Sequence, residues 1–128
     1  MAPLPARLAD VERAHAMFAP IADAPHEVAV FAYLDATGML LAMRHSPAGD
    51  AASVPVPLRR LAADALAFDA AAMVMAHNHP SGDPRPSASD IAVTRLIDRA
   101  LAAIEVRLVD HLIVTRGRVT SFRILGLL

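Results

Sequence analysis

Cysteine, tryptophan and lysine are all absent from the 128 residues, and aromatic side chains make up only 4% of them. Without cysteine there are no disulfide staples, and any bound metal must be held by histidine and carboxylate. Without lysine the twelve basic residues are all arginine, and thirteen acidic residues leave a net charge of −1 with no basic stripe. The phosphate attraction behind most nucleic-acid binding has little to supply it, which argues against direct nucleic-acid binding by this chain. Long hydrophobic runs are lacking too. Charges interrupt them within about ten residues, short of the roughly 20 needed to cross a bilayer, so no membrane span is expected. The opening stretch MAPLPARLADVERAHAMF carries Arg7, Asp10, Glu12 and Arg13 where a signal peptide needs an unbroken apolar core, so a cytoplasmic location is the expectation.

What is present is apolar. A 55% hydrophobic fraction with 20% charged residues offsets the entropy of ordering the chain, and the length suits one domain over residues 1–128. Leu4, Leu8, Val11, His15 and Phe18 recur at helical spacing and predict an N-terminal helix over residues 1–20, ending near Pro20. EVAVFAYLD reads as a central strand, DATG as a turn and MLLAMR as the returning strand of a β-hairpin. The Pro-, Gly- and Ser-rich run from His45 to Pro57 predicts a loop, and Leu58, Leu61, Ala65 and Leu66 a short helix after it. AAMVMA is a buried strand ending at His77. Val93, Leu96, Ile97, Leu101 and Ile104 form the stripe of a helix from Ala88 to Ile104, and VRLVDHLIVT and VTSFRIL are two last strands. The order predicts the α/β class, with a single mixed β-sheet flanked by helices.

The chemistry concentrates in HNHPSGDPRPSASD, residues 77–90. In extended backbone, residues i and i+2 point the same way, so His77 and His79 can aim two imidazoles at one point. Pro80 biases His79 toward that conformation. The turn residues that follow reverse the chain, and Asp90, in the first turn of the next helix, can return as a third donor. Two imidazoles, one carboxylate and an open position make the donor set of a catalytic zinc site, in which a bound water is acidified to a pKa of about 7. Ser87 and Asp90 also have the spacing of a capping box, so the residues alone leave Asp90 two readings, helix cap or metal ligand.

His-x-His followed by seven residues and Ser-x-x-Asp matches the JAMM motif, and HNHPSGDPRPS resembles the RadC-like branch of the JAB/MPN metalloproteases. The resemblance extends to EVAVFAYLD, DAAAMVMAHNHPSG, DHLIV and the terminal GLL, covering most of the chain after Pro25. It implies a cytidine-deaminase-like α/β fold, one zinc ion per chain held by His77, His79 and Asp90, Glu27 on the first strand as general base, and Ser87 as a donor to the water or the oxyanion. It also implies a peptide or protein substrate. The chain departs from the family at PVPLRR, where a Pro-Arg-Glu turn is usual, and at Asp69, where Asn is typical. Longer RadC-like proteins carry an N-terminal helix-hairpin-helix region, for which these residues leave no room.

Other polar residues carry simpler expectations. His15 is a packing residue of the first helix, His26 points away from Glu27, and His45 sits in a loop. Asp110 and His111 resemble the family's adjacent pair but must face opposite sides of a strand, so only one of them can orient a metal-binding imidazole. Asp83 is a similar candidate that also suits a turn before Pro84. Three function classes follow: a JAMM-type zinc hydrolase, a non-catalytic metal-binding interaction module, and a nucleic-acid enzyme suggested by the link of RadC-like proteins with DNA repair. The last finds least support. Consecutive HNH is not the dispersed nuclease motif, and a zinc deaminase needs cysteines this chain lacks.

Overall fold

A computed structural model describes residues 16–47 and 57–128. Five strands, β1 (Val28–Leu34), β2 (Leu40–Pro47), β3 (Ala72–Asn78), β4 (Arg107–Thr115) and β5 (Arg118–Ser121), form one sheet in the order β2-β1-β3-β4-β5. Only β3 and β4 run parallel, which makes the sheet mixed as expected. Helix α1 (Leu58–Ala67) precedes β3, and α2 (Ala88–Ala103) joins β3 to β4, since parallel neighbours need a crossover.

The hairpin closes where the sequence places it. The Asp35 carboxylate accepts from the amides of Thr37 and Met39 and from the Thr37 hydroxyl, at 2.7–3.0 Å, and Gly38 takes a φ of 90°. Alternation then splits the central strands between two apolar layers. Phe31, Tyr33, Met73, Met75 and Leu108 pack with Leu61, Ala65, Ile97 and Leu101 of the helices, while Val30, Ala32, Val74, Ala76 and Val114 pack beneath with Phe18 and Ile21. Every residue of β3 is buried, as befits the middle strand.

Several expectations need correction. The N-terminal helix lies outside the described residues up to 15, His15 included. Its described end passes into a 3-10 turn, Ala19–Asp23, which continues beyond Pro20 because proline suits the first positions of such a turn. Strand β2 runs on to Pro47, so His45 lies on a strand paired with Val30 rather than in a loop. Glu27 stands just before β1, because the Val28 amide is taken by the Asn78 side chain. Leu66 and Leu96, read as core, are 63% and 44% exposed, being flanked by the buried Ala65 and Ile97 that face the sheet. The last strand stops at Ser121 and gives way to turns. Among the described residues no helix is long and apolar enough to cross a membrane.

Candidate metal centre

The β3–α2 junction lies outside the carboxyl end of a parallel strand, where open α/β sheets bind their ligands. Ala29 pairs with His77 across β1 and β3, and carrying that antiparallel register on by two residues brings Glu27 opposite His79. Asn78, fully buried between the two histidines, fixes this junction. Its Oδ1 accepts from the Val28 amide at 2.6 Å, and its Nδ2 donates to the carbonyls of His26 at 3.0 Å and Ala24 at 3.3 Å, bracketing Glu27. His26 contributes only that carbonyl, and its side chain is exposed.

The imidazoles of His77 and His79 converge with 2.9 Å between their Nε2 atoms. Asp90 returns on the first turn of α2, its Oδ1 lying 3.4 Å from His77 Nε2 and its Oδ2 3.2 Å from His79 Nε2. Glu27 stands slightly farther off, with Oε1 3.9 Å from His79 Nε2. Donor atoms of Glu27, His77 and His79 all fall within 4.8 Å of one another. In a tetrahedral zinc site with bonds of about 2.0–2.2 Å, neighbouring donors are roughly 3.3 Å apart, and the contacts among His77, His79 and Asp90 bracket that length.

Asp90 is also a cap. Its carboxylate accepts from the Ser87 amide at 2.8 Å, and the Ser87 hydroxyl accepts from the Asp90 amide at 2.9 Å. The two readings of Asp90 are therefore not exclusive: the cap holds the carboxylate in place while both of its oxygens face the imidazoles. Burial alone would push its pKa up, but its contacts with the two imidazoles and the hydrogen bond from the Ser87 amide hold it well below the usual carboxylate range. Asp90 in turn raises the pKa of His79 against the opposing effect of burial. The pocket thus favours positive charge at its centre.

Outer contacts orient both rings. His79 Nδ1 donates to the Asp83 carbonyl at 2.8 Å, so Asp83 acts through its backbone while its carboxylate binds Arg85 at 2.9 and 3.0 Å. His77 Nδ1 lies 2.6 Å from His111 Nε2, and His111 Nδ1 lies 2.6 Å from Thr94 Oγ1. Phe122 stacks on the His111 ring with 4.4 Å between centroids. Asp110 and His111 do face opposite sides. The Asp110 carboxylate accepts from Ser121 Oγ at 2.5 Å and from the amides of His111 at 2.8 Å and Arg123 at 3.0 Å, and has no part in the cluster.

Sequence reasoning missed Asn78 and Thr94. Each had a signal. Asn78 is a polar residue at the end of a buried run, and Thr94 lies four residues after Asp90 and three before Ile97, on the side of α2 that faces the sheet.

A family model described as RadC-like JAB domain matches residues 8–127. The chain belongs to the RadC-like JAB domain family. Similar proteins include UPF0758 proteins of Methylibium petroleiphilum, 44% identical over 84% of this chain and 49% of the relative, and of Rhodobacter capsulatus, 45% identical over 75% and 45%. Another, of Bordetella avium, is 41% identical over 84% of this chain and 48% of its own length. The chain thus spans about half the length of these curated relatives. In this RadC-like domain the departure at Asp69 has a simple physical setting: the residue has a φ of 52°, a left-handed conformation that Asp and Asn tolerate better than most side chains. The PVPLRR departure lies partly outside the described residues; of the described part, Pro57 precedes α1 and Leu58, Arg59 and Arg60 begin it.

Proposed function

We propose that this RadC-like domain is a zinc-dependent hydrolase of the JAMM type that cleaves an amide bond in a peptide or isopeptide. The observation that carries the proposal is the convergence of His77 Nε2, His79 Nε2 and the Asp90 carboxylate at zinc-donor spacing with Glu27 at the rim. A zinc ion bound there would polarise a carbonyl and acidify a water.

The chain's own groups divide the rest of the work. Glu27, its side chain 28% exposed, accepts a proton from the attacking water as the new C–O bond forms. It returns that proton to the amine nitrogen as the C–N bond breaks. Asn78 keeps Glu27 opposite His79 by gripping the backbone on either side of it. The Ser87 hydroxyl accepts from the Asp90 amide and still has its own proton to give to the developing oxyanion. Two neutral imidazoles and two carboxylates would balance a divalent cation.

Metal content and turnover test this reading together. Chelator-stripped protein is reloaded with zinc and incubated with linear and isopeptide-linked peptide mixtures, and products are read by mass spectrometry. About one zinc per chain and new amine termini are expected. Glu27→Gln should keep the metal and lose turnover, by about a hundredfold or more. Full zinc retention by His77→Ala, or undiminished cleavage by Glu27→Gln, would overturn it.

A further inference from the structure

We infer that Thr94 and His111 form a one-way hydrogen-bond relay that fixes the tautomer of His77, leaving its Nε2 lone pair facing the site. The inference rests on the proposed ligand role of His77. It adds two positioning residues from α2 and β4.

The direction of the relay follows from its last acceptor. Thr94 Oγ1 lies 2.7 Å from the backbone carbonyl of Asp90, and a carbonyl can only accept. Two oxygens that close without a proton between them would repel, so the hydroxyl proton is committed to Asp90. The 2.6 Å contact between Thr94 Oγ1 and His111 Nδ1 then requires the imidazole to donate. The His111 ring is buried against Phe122 and, among the described residues, meets no carboxylate that would pair a charge, so it carries one ring proton, already placed on Nδ1. Its Nε2 must accept, and the 2.6 Å contact with His77 Nδ1 is closed by a proton from His77. Every link has one proton and one acceptor, and reversing any link places two lone pairs or two protons face to face.

His79 is set the same way by a different carbonyl, since its Nδ1 donates to Asp83. Both rings therefore present Nε2 inward, and two backbone carbonyls, those of Asp83 and Asp90, decide it. Because the Asp90 carbonyl belongs to the residue whose carboxylate faces both imidazoles, one helix turn supplies a donor atom and orients another. The register of β4 makes this possible. Val109 is the extra residue between the pairs Met73–Leu108 and Val74–Asp110, and only after this bulge does His111 align with Met75 on the helix face.

Long-range 15N–1H correlation spectra of the imidazoles in the metal-free 128-residue chain read the tautomers directly, and a competing chelator reads zinc affinity. In the unaltered protein, His77 and His111 should both be protonated at Nδ1 and bare at Nε2. Thr94→Val, which keeps the buried volume and removes the hydroxyl, should populate Nε2–H at both rings and weaken zinc binding by about 10–100-fold. Thr94→Ser should restore both readouts to within a few-fold, which a merely structural role for Thr94 would not produce. An Nε2-protonated His77 in the unaltered chain, or unchanged tautomers in Thr94→Val, would overturn the relay. Absence of zinc binding alongside the expected tautomers would instead overturn the ligand role and leave the relay standing.

Discussion

Three aspartates illustrate how one residue type acquires different behaviour from its surroundings. Asp83, only partly covered, has a pKa lowered to about 2 by its contacts with Arg85. Asp90 is held low by the imidazoles and the Ser87 amide in spite of its burial, whereas Asp110 is pushed up by burial more than Ser121 and the Arg123 amide can offset. The sign for Asp110 is then fixed. A carboxyl whose folded pKa exceeds its unfolded value of about 3.9 favours folding while protonated, and that contribution is lost as pH rises from near 4 through the folded value. Asp110→Asn cannot ionise, so its stability relative to the unaltered chain should improve as pH rises across that window. Urea unfolding at a series of acidic pH values measures the gap, and a gap that moves the other way would show that the hydrogen bonds outweigh burial.

At the scale of elements, α2 ties the site to the fold through its first turn. Replacing Ser87 with Ala removes an N-cap acceptor and should cost about 1 kcal/mol of stability in metal-free protein. It also frees one side of the box that holds Asp90, so zinc affinity should fall as well. Denaturant unfolding and chelator competition on the same variant separate the two effects, and unchanged stability would mean the box contributes nothing to the helix. Much of this element structure was legible beforehand. The DATG turn, the buried run before His77 and the stripe through Ile97 and Leu101 each reflect a local period, and the sheet did prove mixed. What escaped was set by contacts far apart in sequence. The Val109 bulge gives no local signal, yet it decides that His111 rather than Asp110 lies beside His77. Asn78 stands out in sequence only as a polar residue ending a buried run, and its partners on both sides of Glu27 lie far away along the chain. The zinc donor set was legible in His77, His79 and Asp90 themselves, whereas the catalytic roles of Glu27 and Ser87 came from the resemblance, because a lone glutamate at a strand start carries no distinguishing pattern.

For the whole molecule, the site joins three segments that meet only in the folded chain: the entry to β1, the end of β3 and the start of α2. A cation bound there would cross-link them and bind the native state in preference to the unfolded one. At a free zinc concentration about 100 times the dissociation constant, the linkage amounts to roughly 2.7 kcal/mol. For a domain of this size that corresponds to a rise in midpoint of about 10 °C. Thermal unfolding with and without zinc should show this shift in the unaltered chain, reversed by a chelator. His77→Ala and Asp90→Ala should lose most of it, since each removes a donor. Glu27→Gln should keep it, because Glu27 is assigned to the proton rather than to the metal. The pattern across the variants matters more than the size of any one shift: stabilisation that survives His77→Ala would place the cation elsewhere, and stabilisation lost in Glu27→Gln would make that glutamate a ligand.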